Sequence, residues 1–426
     1  MPPVRTAAIL AVGSELLTPH RLDTNSLFLS GRLNDIGIDV VSKSVVGDNE
    51  LALAAAIRHA LDAEDLVVTT GGLGPTADDF TREVAAQILG LELVENAEVL
   101  ESIRRRFERR ALHMPDGNRR QAAVPKGAVV LPNPNGTAPG LWIDAGKAIL
   151  VLLPGPPREM QPMFEADVLP RLLERSGGRR VVRRVVKIAG RPESHVEEIA
   201  NPIYSPFATA DTPIETTILA TPGQIELHLS ARGSDVAAME RTLESAVEKL
   251  AKALAPAVFS VDGKSLEQVV GQQLQARGWK VAVAESCTGG LLGGRLTDVS
   301  GSSAWFAGGI VAYENEVKQQ LLGVAADVLE RHGAVSEPTA VAMADGVRER
   351  LAADAGVAIT GIAGPTGGTP EKPVGTVVIA VSAGRAVVRT YRFVGDRAMV
   401  RQQAVTAAME LLRQTLASQP QQTASR

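Results

Sequence analysis

Two short apolar runs in this 426-residue chain, VVTT at 67–70 and VAVA at 281–284, stop on clustered glycines and resume as helical patterns. A buried strand that passes through a glycine turn into a helix is the repeating unit of a parallel sheet with crossover helices, so an α/β fold is expected. The same alternation fills the first part of the chain. Residues 7–12, 40–46, 65–70 and 147–153 read as strands, and helical spacing covers 49–61, 79–89 and 159–173. The last of these strands is cut off at once by Pro154-Gly155-Pro156-Pro157. A first domain is placed at 1–174.

The length exceeds what one hydrophobic core usually organises, so further domains are expected. Between Arg171 and Arg191 eight Lys or Arg stand against Glu174 alone, which marks a linker running into a basic strand. Residues 175–258 then read as a small α/β module: strand 181–188, helix 192–203, strand 216–220, a Pro222-Gly223 turn, strand 225–231 and helix 236–254. Met239, Leu243, Ala246, Leu250 and Leu254 give that helix one apolar face. A third unit at 259–417 repeats the alternation: helix 265–276, strand 279–285, a helix from 289, strand 306–312, helices to 353, strands 355–360, 374–382 and 385–393, and a helix 398–416. The Gln/Ser-rich residues 418–426 are expected to fray.

Charge and composition exclude several classes of function. A net charge of −4 offers a polyanion no global attraction, so nucleic acid would need a local basic patch and is not expected as a partner. The apolar run 7–12 is too short for a signal-peptide core or a membrane span, and no later run is long enough, so a cytoplasmic protein without a membrane partner is expected. One cysteine, Cys287, rules out an internal disulfide and a Cys-rich zinc site. The six histidines are scattered, so any metal should be held mainly by carboxylate oxygens.

The first chemical constellation is GGLGPTADDFT, residues 71–81. Placed between a strand and a helix, Gly71, Gly72, Gly74 and Thr76 can bring backbone N–H groups to an anion. Adjacent carboxylates repel unless a cation or a cap offsets them, so Asp78 and Asp79 read as a helix cap, a site for a hard divalent cation that meets a phosphate, or one of each. Glu15 and Asp48 also fall at the carboxyl ends of predicted strands, where open α/β sheets bind ligands.

The second constellation is AESCTGG at 284–290. Ser286 would stand on a sharp strand-to-helix turn, either capping the helix or acting as a nucleophile beside the N–H groups of Thr288, Gly289 and Gly290. A nucleophilic serine needs a base, and VAYENEVK supplies Tyr313 and Lys318 on the next strand end and the first turn of its helix, with Asn315 as the expected cap. Near the positive end of a helix dipole and away from water, a lysine loses its proton more readily. The loop at 360–376, with Gly361, Gly364, Thr366 and Gly367, is too rich in Gly and Pro for an ordinary connection and reads as a ligand-embracing loop.

These motifs resemble a known family. VGSELL, DTNS, GGLGPTADDFT, NRRQA, NPNGTAPG and LPGPPRE look like the amino-terminal half of the CinA family, whose domain is similar to molybdopterin-binding domains. AESCTGG, GSSAWFAGGIVAYENEVK, HGAVSEP, TGIAGPTGGTPEKPVGT and GDRAMVRQQA look like its carboxy-terminal domain, and 175–258 is similar to its KH-like module. For the first domain the resemblance implies hydrolysis of the pyrophosphate in ADP-ribose and related nucleotides. It places Asp78, Asp79 and Thr81 at the site, with a divalent ion (cobalt, magnesium or manganese) as cofactor. Asp48, from its position at a strand end, is the third carboxylate expected at the metal. For the last domain it implies hydrolysis of the amide of nicotinamide mononucleotide without a cofactor. Ser286 is then the nucleophile, Lys318 the base and Tyr313 a proton relay, with Arg397 or Arg401 toward the substrate phosphate. A symmetric homodimer is the expected assembly. Three other readings stand beside this one: a cysteine amidase using Cys287, a noncatalytic pterin- or nucleotide-binding protein, and a nucleic-acid-associated protein using the basic stretch of the KH-like module.

Overall fold

The computed structural model describes residues 3–419, whose strands form three sheets of four or more strands and one two-stranded sheet, Leu93–Glu95 with Ala123–Pro125. The first has the strand order Asp39–Val46, Thr6–Val12, Leu66–Thr70, Ile149–Leu153, Gly140–Asp144, Val129–Leu131. The four leading strands are parallel, with Ile9 opposite Lys43 and Val68, and Val68 opposite Val151. The two trailing strands are antiparallel, which an all-parallel reading does not anticipate. The cause is the tie between Asp144 and Ile149, far too short for a crossover helix.

Both faces of the central strands are covered, which is why their sequences are apolar without alternation. Ile9, Val68 and Val151 meet Leu29 and Leu33 of the helix Thr24–Asp35 and Met160, Phe164 and Leu172 of the helical stretch 157–175. Ala8, Leu10, Val67 and Leu150 meet Leu53 and Ile57 of Glu50–Ala63 and Val84 of Thr81–Leu89. The stretch 157–175 is not one regular helix: Phe164–Val168 is a π turn between Pro157–Met163 and Leu169–Arg175. Pro162 and Pro170 each remove an N–H from the ladder there.

The chain divides into two compact units, one comprising residues up to Val182 with Arg232–Ala237, the other the remainder. The second unit holds most of a four-stranded sheet, ordered Ile214–Thr221, Gln224–Gly233, Arg180–Ala189, Val258–Ser260, with the helices Glu193–Tyr204 and Val236–Ala253. The apolar face read for the latter helix is buried at Met239, Leu243, Ala246 and Leu250.

The same unit holds a five-stranded sheet ordered Phe306–Val311, Val281–Glu285, Ala355–Gly361, Thr376–Ala383, Arg385–Arg392. The first three strands are parallel and the last two antiparallel, joined by a tight turn at Gly384. Leu266–Gln275 and Arg397–Ser418 cover one face and Glu337–Arg350 the other. The first of these helices opens on a capping box between Ser265 and Gln268. The tail expected from Ser418 begins one residue too early, because Ser418 ends the last helix and its hydroxyl donates to the Thr415 carbonyl. Residues 420–426 lie outside the described residues. Among the described residues no helix is long and apolar enough to cross a membrane.

Candidate functional site

In both sheets the glycine turns follow the carboxyl ends of central parallel strands, where an α/β sheet opens to ligands. After Leu66–Thr70 the chain turns through Gly71 and Gly72 at φ 108° and 66°. A Cβ at Gly71 would strike the Val12 carbonyl, and one at Gly72 the Thr81 hydroxyl, so only glycine fits either place. The Gly71 N–H is spent on the Leu153 carbonyl, at 2.9 Å. The N–H groups of Gly72 and Gly74 have no partner among the described residues and remain for a ligand.

The helix expected from Asp79 begins at Thr81, and neither Asp78 nor Asp79 caps it. Asp79 instead accepts from the Thr76 N–H at 3.0 Å and from the Thr76 hydroxyl, which closes the turn and holds both carboxylates in the loop. The Thr76 hydroxyl, lying beside Asp78 as well, keeps that exposed carboxyl below its ordinary range. Thr81 is fully buried and ties the loop inward: its hydroxyl donates to the Gly71 carbonyl at 3.1 Å.

A cavity of about 380 Å³ lies against this turn. Gly71, Gly72, Gly74, Asp78, Asp79 and Asp48 all line it, joined by Glu15 and Glu159, whereas Thr76, which is exposed, and Thr81, which is buried, do not. Asp48 is anchored by a reciprocal pair, accepting from the Ser14 N–H and donating its own N–H to the Ser14 hydroxyl, both at 2.9 Å. The NRRQA segment braces the loop: Gln121 Nε2 donates to the Leu73 carbonyl at 3.1 Å, and Arg120 to the Thr76 carbonyl at 2.6 Å. Glu159 is the residue that reasoning from spacing passes over. It reaches the cavity from the helix after the Pro-rich break and accepts from Asn133 Nδ2 at 2.9 Å.

These carboxylates suit a hard divalent ion of the magnesium kind, which is commonly held by one or two protein carboxylates with phosphate oxygens and water completing its shell. They do not make a cage by themselves, since among the described residues no three His, Cys, Asp or Glu side chains gather. Asp78 and Asp79 are adjacent in the chain and both line the cavity.

In the other sheet, Val281–Glu285 is buried throughout, and Ser286 continues its ladder by donating its N–H to the Ile359 carbonyl at 2.9 Å. Ser286 caps no helix. The helix starts only at Leu291, and its cap is the buried Glu285 carboxylate, which accepts from the N–H groups of Gly290, Leu292 and Gly293 at 3.1, 3.1 and 2.8 Å. That leaves the serine hydroxyl on a turn stretched over 286–290. The N–H groups of Cys287 and Thr288 donate to no other residue among those described, and the buried Thr288 Oγ1 has no partner either.

Lys318 sits on Asn315–Leu322, whose cap is Glu314 rather than the expected Asn315. It is 1% exposed, and its ammonium donates to the Tyr313 carbonyl at 2.7 Å. Burial pushes its pKa down, opposed by the nearby Glu314 carboxylate. The Tyr313 side chain is 56% exposed, and its hydroxyl accepts from Arg397 at 3.2 Å. Arg397 also donates to the Gly364 carbonyl at 2.7 Å, which fastens the glycine-rich loop to the site, while Arg401 donates to the Thr288 carbonyl at 2.8 Å. Cys287 lies within electrostatic reach of Lys318, Arg397 and Arg401, and of these Arg401 touches the turn directly, through the Thr288 carbonyl. Its own thiol is pushed up to about 11 by burial, which keeps it protonated at neutral pH.

The remaining predicted residues divide between turn and loop. Gly289 and Gly290 carry the turn at φ 58° and 95°. Gly361 belongs to the loop's stem, against Thr376 and Val377, and Thr366 and Gly367 lie on its exposed outer part.

Comparison with known proteins finds two family models along the chain. Residues 8–174 match the family model described as "Probable molybdopterin binding domain", and residues 263–416 the one described as "CinA C-terminal domain". A CinA-like protein of Koribacter versatilis is 45% identical over 416 residues, covering 96% of this chain and 99% of its own. One from Solibacter usitatus is 44% identical over 418 residues, covering 97% and 99%. A solved structure, the competence/damage inducible protein CihA from Agrobacterium tumefaciens, is 42% identical, with a TM-score of 0.35, covering 36% of this chain and 94% of its own. With two relatives matched nearly end to end and both family models in order, the chain belongs to the CinA family.

Proposed function

We propose that the carboxy-terminal unit hydrolyses the amide of nicotinamide mononucleotide to nicotinate mononucleotide and ammonia, and that the amino-terminal domain hydrolyses the pyrophosphate of ADP-ribose-like nucleotides, both in pyridine-nucleotide salvage. The observation that carries the first reading is the buried Lys318, which forms no ion pair among the described residues, is held by the Tyr313 carbonyl and lies within electrostatic reach of Cys287, the neighbour of Ser286. With its pKa lowered, Lys318 can take the Ser286 proton as Oγ attacks the carboxamide carbon. The carbonyl oxygen gains charge facing the N–H groups of Cys287 and Thr288. Collapse breaks the C–N bond, and the departing ammonia receives the proton from Lys318 through the Tyr313 hydroxyl. The Ser286 ester left behind is cleaved by a water that gives its proton to Lys318, releasing the acid and restoring the hydroxyl. The planar guanidinium groups of Arg397 and Arg401 suit the substrate phosphate.

Support for the second reading is the meeting of free glycine N–H groups with the carboxylates of one cavity. A bound divalent ion there would neutralise phosphate charge. Asp78 and Asp79 would hold it, and the N–H groups of Gly72 and Gly74 would orient the phosphates. The family model that matches residues 8–174 favours one other reading, pterin binding without turnover. Incubation with ADP-ribose and a divalent ion separates the two, since only the first forms products.

The test of the amidohydrolase is release of nicotinate mononucleotide and ammonia from nicotinamide mononucleotide. Ser286→Ala and Lys318→Met should each lower turnover by about three orders of magnitude or more, and Cys287→Ala by no more than a few-fold. Near-complete loss in folded Cys287→Ala, or an acyl adduct on the sulfur, would overturn the assignment in favour of a cysteine amidase.

A further inference from the structure

The last helix, Arg397–Ser418, is buried on two sides that differ in chemistry. Val400, Ala404, Ala408 and Leu411 join Ile379 and Val381 in the core on its own five-stranded sheet. Thr406, Glu410 and Arg413 follow one another at spacings of four and three, so they form one polar stripe on another face. Such a stripe belongs in water, yet these residues are only 2, 5 and 8% exposed. What meets them is the small four-stranded module of the same compact unit.

Thr406 receives the tip of the hairpin that joins Ile214–Thr221 to Gln224–Gly233. Its hydroxyl donates to the Pro222 carbonyl at 3.3 Å and accepts from Arg295 Nη1 at 3.0 Å. Gly223, at φ 81°, sits so close that a Cβ there would lie 3.0 Å from the Thr406 methyl. Arg295 in turn donates through Nε to the Glu267 carboxylate at 2.6 Å. The second footing is Arg413, which donates twice to Glu410 at 2.7 Å and once to the Pro256 carbonyl, also at 2.7 Å. Pro256 closely follows the module's helix Val236–Ala253. A buried network satisfied at this many points holds one arrangement, because a shift leaves donors or acceptors unpaired away from water.

The same helix carries Arg401, five residues and about 7.5 Å of axis before Thr406. Arg401 touches the Ser286 turn through the Thr288 carbonyl at 2.8 Å, and its buried Nε has no partner among the described residues. Arg295 stands on Leu291–Thr297, the helix that leaves this turn. Thr406 therefore ties the module to both helices that border the turn. We infer that the Pro222-Gly223 tip is a positioning element of the amidohydrolase site: seated on Thr406, it sets how Arg401 reaches the phosphate of the substrate. The inference rests on the nicotinamide mononucleotide reading proposed above and gives the small module a part in binding that substrate.

The test is steady-state hydrolysis of nicotinamide mononucleotide by the full chain, with hydrogen exchange at the amides of 399–405 as an independent readout. Thr406→Val removes both hydrogen bonds, and Gly223→Ala pushes the tip away from the helix. Each should raise KM roughly tenfold while kcat stays within about threefold, and each should speed exchange at 399–405. Thr406→Ser keeps the hydroxyl and should return KM and exchange to those of the unaltered chain. A thermal melt checks that the variants are folded. If the chain is active and KM is unchanged in folded Thr406→Val and Gly223→Ala, the reaction stands and the positioning falls. A loss that appears in kcat instead of KM, or one that Thr406→Ser does not reverse, overturns it too. Should the unaltered chain leave nicotinamide mononucleotide intact, the reaction falls and exchange alone decides: faster exchange reversed by Thr406→Ser keeps the tip as the device that holds Arg401, and unchanged exchange removes it.

Discussion

At the scale of single residues, Lys318 is where stability and function oppose each other. Keeping an ammonium 1% exposed costs the fold, because the charged form is stripped of water and receives one carbonyl in return. Lys318→Met replaces it with an apolar chain of similar length. The variant should lose amide hydrolysis and gain stability on the order of 1 kcal/mol, read as a raised melting temperature at neutral pH. Titration carries the same sign. The folded chain binds this proton less tightly than the unfolded chain, so stability should climb as pH rises from the depressed folded value toward the ordinary 10.5, and the Lys318→Met variant should lack that slope. Activity should fall on the acid side of the depressed value, where the amine is protonated and cannot accept the serine's proton. A flat acid limb in the unaltered chain would remove Lys318 from the role of base.

At the scale of elements, the turn at 286–290 depends on one buried carboxylate. Glu285→Ala would strand three N–H donors at the start of Leu291–Thr297, and denaturant unfolding should report a loss of about 2–4 kcal/mol. Glu285→Gln can still accept through its amide oxygen and should lose less. A serine after a strand reads naturally as a helix cap, and nothing in the local spacing announces that the preceding glutamate reaches forward over five to eight residues to do that work. Strands and helices with strong periodicity were legible: 7–12, 65–70, 181–188 and 236–254 all lie within one or two residues of the observed elements. The helix Thr24–Asp35 was not, since its TNSLFLSGRLND mixes polar and apolar residues with little stripe, and the strand Gly140–Asp144 is short and opens on glycine. The site followed the same logic. Residues next to glycine turns were found, whereas Glu159 reaches its cavity through tertiary packing across 26 residues to Asn133.

At the scale of the whole molecule, the two proposed sites belong to different compact units, so each should be abolished without the other. Chelation, or Asp78→Asn with Asp79→Asn, should end ADP-ribose cleavage and leave release of ammonia from nicotinamide mononucleotide unchanged in the full chain. Asn keeps the size of both side chains and loses the charge an ion requires. Loss of both activities together would tie the units into one mechanism. The buried thiol bears on how such independence can be watched. With its single cysteine enclosed and its thiol pushed up to about 11 by burial, the chain should react only slowly with maleimide dyes at neutral pH, which dye incorporation into the unaltered chain would check. A cysteine placed at Val394, 84% exposed, would be the one reactive handle in an otherwise native sequence. A second on the amino-terminal unit would complete a fluorophore pair, and single-molecule energy transfer could follow the spacing of the two units during turnover.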